Sequence, residues 1–293
     1  MDIIQDKFVD DQGQEHYTPC KHIGPEIKPK YIIMHCTTTG SPFDRNVTSM
    51  LRENYDASVH LLIGRAGEIQ QFVPFNNSAA HCGDNHWHNV YNSMDSHSIG
   101  IEMLNAGKLT TDNGVDYYKS NFGITYPVPE DERVFYNGEW WQIYPQAQLN
   151  SALEIVRLLI HHYPDIKDVL GHNEINPGQR PEDPGPAFPM QWFHAQALGL
   201  DERLPITRVH VTTRFVRLFS GPGENYERIG DGFPKNTPLG VLSAENGWSL
   251  VHVYPDKREP PYMTGWMQTD SIAVDTLKPR HYHRHKEVVL PSM

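Results

Sequence analysis

Residues 31–35 of the chain read YIIMH, and the polar turn CTTTGS follows at 36–41. Four apolar side chains in a row, without polar alternation, describe a strand buried on both faces. The run ends on His35, at the edge where open α/β sheets collect ligands. Working outward, residues 58–63 (SVHLLI) form a second strand that continues through a hairpin turned at Ala66–Gly67. Residues 98–104 (SIGIEML) form a third, whose alternation puts Ile99, Ile101 and Met103 on one face and Gly100 and Glu102 on the other. Between 146 and 163, Leu149, Leu153, Val156 and Ile160 share one helical stripe, which Pro164 stops. The short strand DVLGH then delivers His172 into a loop rich in Gly and Pro, 173–189. Strands interleaved with a helix predict an α/β layer architecture.

Two regions fall outside this scheme. Residues 105–145 carry an aromatic hairpin-like segment turned at Asn137–Gly138 and look like an insertion. Trp140 and Trp141 there either pack inward or meet a substrate. After Leu200 short β-like segments alternate with closely spaced turns, which predicts a small all-β barrel. The expected division is therefore 1–203, 204–276 and a basic, His-rich tail at 277–293, in which His281, His283 and His285 are secondary metal donors.

A net charge of −11 argues against nucleic acid as a partner and against simple attraction to an anionic polymer. Recognition of such a polymer would need a shaped groove. No stretch approaches the ~20 apolar residues of a membrane helix. The opening residues MDIIQDKFVDDQGQEH have neither a basic start nor an apolar core. The expectation is synthesis in a cytosol, with any later exit by non-classical export or lysis. Three cysteines are too few and odd in number for a disulfide framework. With 17 histidines in the chain, each proposed histidine ligand has to be argued from its neighbours.

His35 and His172 at strand ends, with Asp183 stiffened between prolines in EDPGP, make a three-ligand zinc site with a fourth position for water. His81 is the rival to Asp183 as third ligand. Alternation turns Cys36 away from His35, and a Cys36–Cys82 disulfide stays open. Glu102 is either a salt-bridged strand residue or the group that moves the proton.

In order along the chain, YIIMHCTTTGS, SVHLLIGRAGEIQQFVPFNNSAAHCGD, HSIGIEML and VLGHNEINPGQRPEDPGPAFP resemble the N-acetylmuramoyl-L-alanine amidase family, over about 31–192. That family includes bacterial AmpD-type enzymes and animal peptidoglycan-recognition proteins. The resemblance implies one catalytic zinc on His35, His172 and Asp183, and Glu102 as the catalytic acidic residue. It also implies an α/β fold with a mixed central β-sheet flanked by helices, and hydrolysis of the bond between N-acetylmuramic acid and L-alanine. His60 and His81 fall in segments that line or support the substrate pocket. The family pattern carries a lysine two residues before the aspartate, where this chain has Pro181; Arg180 is the substitute for that oxyanion-stabilising charge. Residues 207–275 resemble a bacterial Src-homology-3-like domain, on TTRFVRLFSGPGENYERIG, PKNTPLGVLSAENGWSLVHV and TGWMQTDSI. This implies wall binding, with Trp248, Trp266 and Tyr226 as aromatic candidates. The expected partner is peptidoglycan or a muropeptide; delivery machinery or an immunity partner stays unspecified. A non-catalytic recognition protein is the alternative.

Overall fold

A computed structural model of the chain describes residues 1–52, 56–83, 85–87, 90, 91, 93–112, 115–119, 125–136, 138–199, 210–253 and 263–274. Its central sheet has five strands in the order Asp168–Gly171, Tyr31–Cys36, Ser98–Met103, Leu61–Ile63, Ile69–Gln71. The first four are parallel and the last is antiparallel, so the sheet is mixed. A parallel sheet needs cover on both faces. Helix Gln146–His162 covers one, burying Leu149, Leu153 and Val156 against Ile99, Ile101 and Met103. Each such side chain stabilises the fold by roughly 1.5–3 kcal/mol. Ile160, at the end of the stripe, is half-buried. Buried Gln148 donates from Nε2 to the carbonyls of Ile63 and Leu104, pinning the helix start to the ends of two strands. The opposite face is closed by Met50 of helix Phe43–Met50 with Cys20, Leu62, Phe72 and Leu104.

Two boundaries differ from expectation. The second strand pairs only over Leu61–Ile63, because Ser58 donates its N–H to Ala80 instead of to the ladder. His172 does not end a strand. It opens the one-turn helix His172–Ile175, started where the Glu174 carboxylate accepts the Gly171 N–H at 2.7 Å.

The insertion is a five-stranded antiparallel sheet, in the order Thr125–Pro127, Val115–Lys119, Lys108–Asp112, Glu139–Gln142, Arg133–Tyr136. The expected hairpin is there, with Tyr136 opposite Glu139 and Gly138 at φ +80°; Asn137 lies outside the described residues. Adjacent residues on a strand point to opposite faces. Trp141 accordingly enters the main core while Trp140 turns to Phe135, Leu109 and Tyr126.

Among the described residues from His210 on, the regular elements are strands, apart from the single 3-10 turn Thr269–Ser271. Seven antiparallel strands run in the order Arg228–Phe233, Val216–Phe219, Met263–Gln268, Trp248–Val253, Pro238–Glu245, His210–Thr212, Ile272–Val274. No ladder among the described residues joins the two end strands, so barrel closure is not seen. Val216, Leu218, Ile229, Val251 and Met267 form a core of their own. The other side of the same strands, Leu250 and Trp266, joins the main core. There the Trp266 indole donates to the Phe135 carbonyl, and the Phe135 N–H donates to Ser220 at 2.9 Å. The expected division at 203/204 and the tail at 277–293, with His281, His283 and His285, fall outside the described residues. No helix among the described residues is long and apolar enough to cross a membrane.

Candidate active site

His35 and Glu102 are direct partners in the parallel ladder, so both stand on the face opposite Ile99, Ile101 and Met103. The one-turn helix brings His172 to the same place. Its Nδ1 lies 3.0 Å from His35 Nδ1 and 2.8 Å from Asp183 Oδ2, and the third side of the triangle, His35 Nδ1 to Asp183 Oδ2, is 3.6 Å. Asp183 is held from several directions. Its Oδ1 accepts the Cys36 N–H at 2.6 Å, and its carbonyl accepts the Asn173 N–H at 2.7 Å. The following peptide, Asp183–Pro184, is cis, and the Tyr144 hydroxyl donates to the Pro184 carbonyl at 2.6 Å. Gly185 has φ +89°, and a Cβ there would lie 3.2 Å from the Trp141 ring. The insertion therefore buttresses the aspartate loop through Trp141 and Tyr144.

Burial pushes the pKa of His35 down, and that of His81 further, so both rings are neutral. Burial alone would raise Asp183, but the imidazoles of His172 and His35 set against it hold its carboxyl down, at about 2. Glu102 is raised well above the usual carboxylate range, first by burial and then by the charge of Asp183, against a lowering contribution from Arg180. Its Oε2 is buried with no hydrogen-bond partner. A buried carboxyl oxygen without a protein partner costs stability.

The donor set fits a metal ion. His172 Nε2 lies 3.1 Å from the Cys82 carbonyl, which can only accept, so Nε2 carries a proton, and a metal-binding ring with that one proton leaves Nδ1 bare. Its bare Nδ1 then faces a carboxylate oxygen at 2.8 Å. Two lone pairs at that distance repel unless a proton or a cation lies between them. Ligand atoms on a tetrahedral zinc with bonds of roughly 2.0–2.1 Å stand about 3.3 Å apart, close to the observed triangle.

The remaining residues singled out in the sequence are placed as follows. Both ring nitrogens of His60 are used by backbone: Nδ1 accepts the Gly100 N–H at 3.0 Å and Nε2 donates to Asn77 at 2.8 Å. Its ring, fully buried and held down at about 4, faces no open site. His81 lies beside His35 and outside the three-atom triangle, its Nδ1 2.9 Å from His35 Nε2. Arg180 is exposed on the loop before Asp183 and bears on Glu102 through its charge. Trp141 is buried beneath the aspartate loop, so its part there is packing. Trp140 lies at the seam with the C-terminal region, 6.4 Å from the Tyr226 ring, and Trp248 packs edge-on against Phe219 at 5.4 Å. All three cysteines are free and buried; Cys36 donates to the Asn105 carbonyl, and burial pushes its thiol up to about 12. Sequence reasoning missed Tyr144 and Asp95. A tyrosine directly before the helix-starting Pro145 was the only local signal for the first, and nothing local signals the second.

The sequence profile of the family described as N-acetylmuramoyl-L-alanine amidase, Amidase_2, matches residues 25–186, more than half of the chain. The chain is 33% identical over 132 residues to 1,6-anhydro-N-acetylmuramyl-L-alanine amidase AmpD of Escherichia coli K12, covering 45% of this chain and 53% of that protein. It is 27% identical over 179 residues to N-acetylmuramoyl-L-alanine amidase AmiD of the same organism, covering 58% and 54%. The chain thus spans about half the length of the curated relatives it matches. Among solved structures, E. coli AmiD in complex with anhydro-N-acetylmuramic acid-L-Ala-D-gamma-Glu-L-Lys aligns at 26% identity and a TM-score of 0.42, over 64% of this chain and 65% of that one. On the strength of the family profile, the chain belongs to the Amidase_2 family of N-acetylmuramoyl-L-alanine amidases.

Proposed function

We propose that this chain hydrolyses the amide bond between N-acetylmuramic acid and L-alanine in peptidoglycan or its muropeptides, with a zinc ion held by His35 Nδ1, His172 Nδ1 and Asp183 Oδ2. The observation that carries the proposal is this triangle of bare donors on the same sheet face as the unpartnered Glu102 carboxyl. Zinc held there supplies a Lewis acid for the carbonyl and lowers the pKa of a water to about 7.

The chain's own residues do the rest. His35 and Asp183 are fixed by strand and loop, so the reacting groups meet without reorganisation. Glu102 takes a proton from the attacking water and returns it to the departing L-alanine nitrogen. Its raised pKa suits the donating half of that cycle. The part of the rise that comes from Asp183 falls away once a cation pairs with Asp183. Arg180 stands in for the family lysine as the charge facing the developing oxyanion, from a more exposed position.

The C-terminal sheet is proposed as a Src-homology-3-like wall-binding module, supported by its strand-rich, turn-rich sequence. The site of action is proposed as the bacterial cell wall or periplasm. A binding protein that does not cut would be expected to have lost a ligand or the acidic residue, and neither is lost here.

The test is digestion of purified sacculi with and without a chelator, followed by mass spectrometry of the released ends. Free lactyl groups with new L-alanine amino termini, lost on chelation and restored by zinc, support the proposal. Cleavage elsewhere in the stem or glycan, or tight binding without release, overturns it.

A further inference from the structure

Each of the two metal-facing histidines presents Nδ1 to the site, and what fixes that choice lies on the far side of the rings. His172 gives its Nε2 proton to the Cys82 carbonyl at 3.1 Å. His35 Nε2 lies 2.9 Å from His81 Nδ1. Both supports therefore come from one turn, His81–Cys82.

The direction of the second hydrogen bond follows from its continuation. The Ser98 hydroxyl donates to the Met94 carbonyl at 2.7 Å, which uses its only proton. His81 Nε2, 3.3 Å from Ser98 Oγ, is then the donor to that oxygen. A neutral His81 with its proton on Nε2 has a bare Nδ1, and so accepts from His35 Nε2–H. His35 is left with a lone pair on Nδ1, aimed at His172 and Asp183. The chain Met94–Ser98–His81–His35 thus sets the tautomer of a ligand from three residues away.

The turn itself is anchored. Asp95 Oδ1 accepts the backbone N–H of His81 at 3.0 Å and of Cys82 at 2.9 Å. The His81 ring lies directly on Gly100, where a Cβ would come within 2.6 Å of it. Gly100 is the residue between Ile99 and Ile101 on the site face, and only a bare backbone admits the ring there.

Resting on the zinc reading above, we propose that the Asp95-anchored His81–Cys82 turn is a built support that holds both metal-binding histidines in their ligating tautomers, with His81 as a positioning residue. His81, Cys82 and Asp95 also bring donor atoms within 4.8 Å of one another, a geometry that suits a second metal. That use competes with the first. Asp95 Oδ1 is already occupied by two N–H groups, and the buried Cys82 thiol would have to ionise.

The test uses the full chain as wild type, His81→Ala, His81→Asn and Ser98→Ala. Zinc stoichiometry and Kd are measured by competition with a chromophoric chelator, and circular dichroism and melting of the metal-free proteins report the fold. Loss of a partner behind a metal ligand weakens affinity by about 10–100-fold, which is the result expected for His81→Ala. His81→Asn puts an accepting Oδ1 near the place of Nδ1 and should restore affinity close to wild type. Ser98→Ala should fall between them, with one zinc per chain throughout. Wild-type affinity in His81→Ala, failure of His81→Asn to rescue it, or two equivalents of zinc per wild-type chain would overturn the proposal. Should His81→Ala not fold, Ser98→Ala decides, and an unchanged Kd there overturns it equally. A wild type that binds no zinc sinks the metal reading itself and the support with it. That outcome is separate, because all variants would then behave alike.

Discussion

The two large sheets use their faces differently. In the parallel sheet one face is apolar and closed by helix Gln146–His162, while the other spends its central positions on His35, Glu102 and the bare backbone of Gly100. In the C-terminal antiparallel sheet both faces bury apolar side chains, Val251 and Met267 on one and Leu250 and Trp266 on the other. A polar group in the first is tolerated only because a precise partner, or a reaction, satisfies it. The second has a structural task on both faces. Disturbing the first should change chemistry before fold, and disturbing the second should change fold before chemistry.

The sharpest break is His172→Ala or Asp183→Ala. Either should release the metal and lower kcat/KM on muropeptides by about 10³-fold or more, several kcal/mol of transition-state stabilisation. Metal content by elemental analysis alongside the rate checks this; retained activity without metal would erase the contrast. Next comes Glu102→Gln, expected to keep the metal and lose about 10²–10⁴-fold in kcat. The same substitution carries a stability signature. The folded-state pKa of Glu102 is raised, so its contribution is fully present at low pH and is lost as pH rises through the folded value. Removing the ionisable group should therefore raise the melting temperature of the metal-free protein at neutral pH relative to wild type.

His60 gives a smaller, pH-dependent effect of opposite sign. Burial holds its folded pKa at about 4, below an unfolded value of about 6.5. Between those values the unfolded chain binds the proton and the folded one does not. Stability of the metal-free protein should fall as pH drops from about 6.5 to about 4, by on the order of 3 kcal/mol. Denaturant titrations across that range, with His60→Gln showing a flatter dependence, test it. The smallest effect is expected in the second sheet. Trp266→Phe leaves the Phe135 carbonyl without its indole donor, at a cost of about 1–3 kcal/mol, with zinc affinity unchanged. A loss of zinc affinity there would mean that the seam reaches the site through Trp141.

Much of this was legible in the sequence, and unevenly so. The run YIIMH and the alternation in SIGIEM placed His35 and Glu102 correctly, because strand periodicity is a local property of the backbone. The helix stripe at Leu149, Leu153 and Val156 was equally plain. His172 was expected to end a strand and opens a helical turn, since a capping Glu174 outweighs the apolar run before it. The insertion showed only its hairpin. Its remaining strands pair with partners the local pattern does not name.

By itself the sequence determined which residues stand on which face, that an α/β layer forms, and which donors are available to a metal. Only the tertiary structure decided how those donors are used. His172 and Asp183 meet His35 across 137 and 148 positions of chain. His60 and His81, alike in sequence setting, part company there: one is tied to backbone through both nitrogens, the other is turned onto His35. Periodicity is set by neighbours along the chain. A hydrogen-bond partner, a tautomer and a shared cation are set by groups that only folding brings within three ångströms or so.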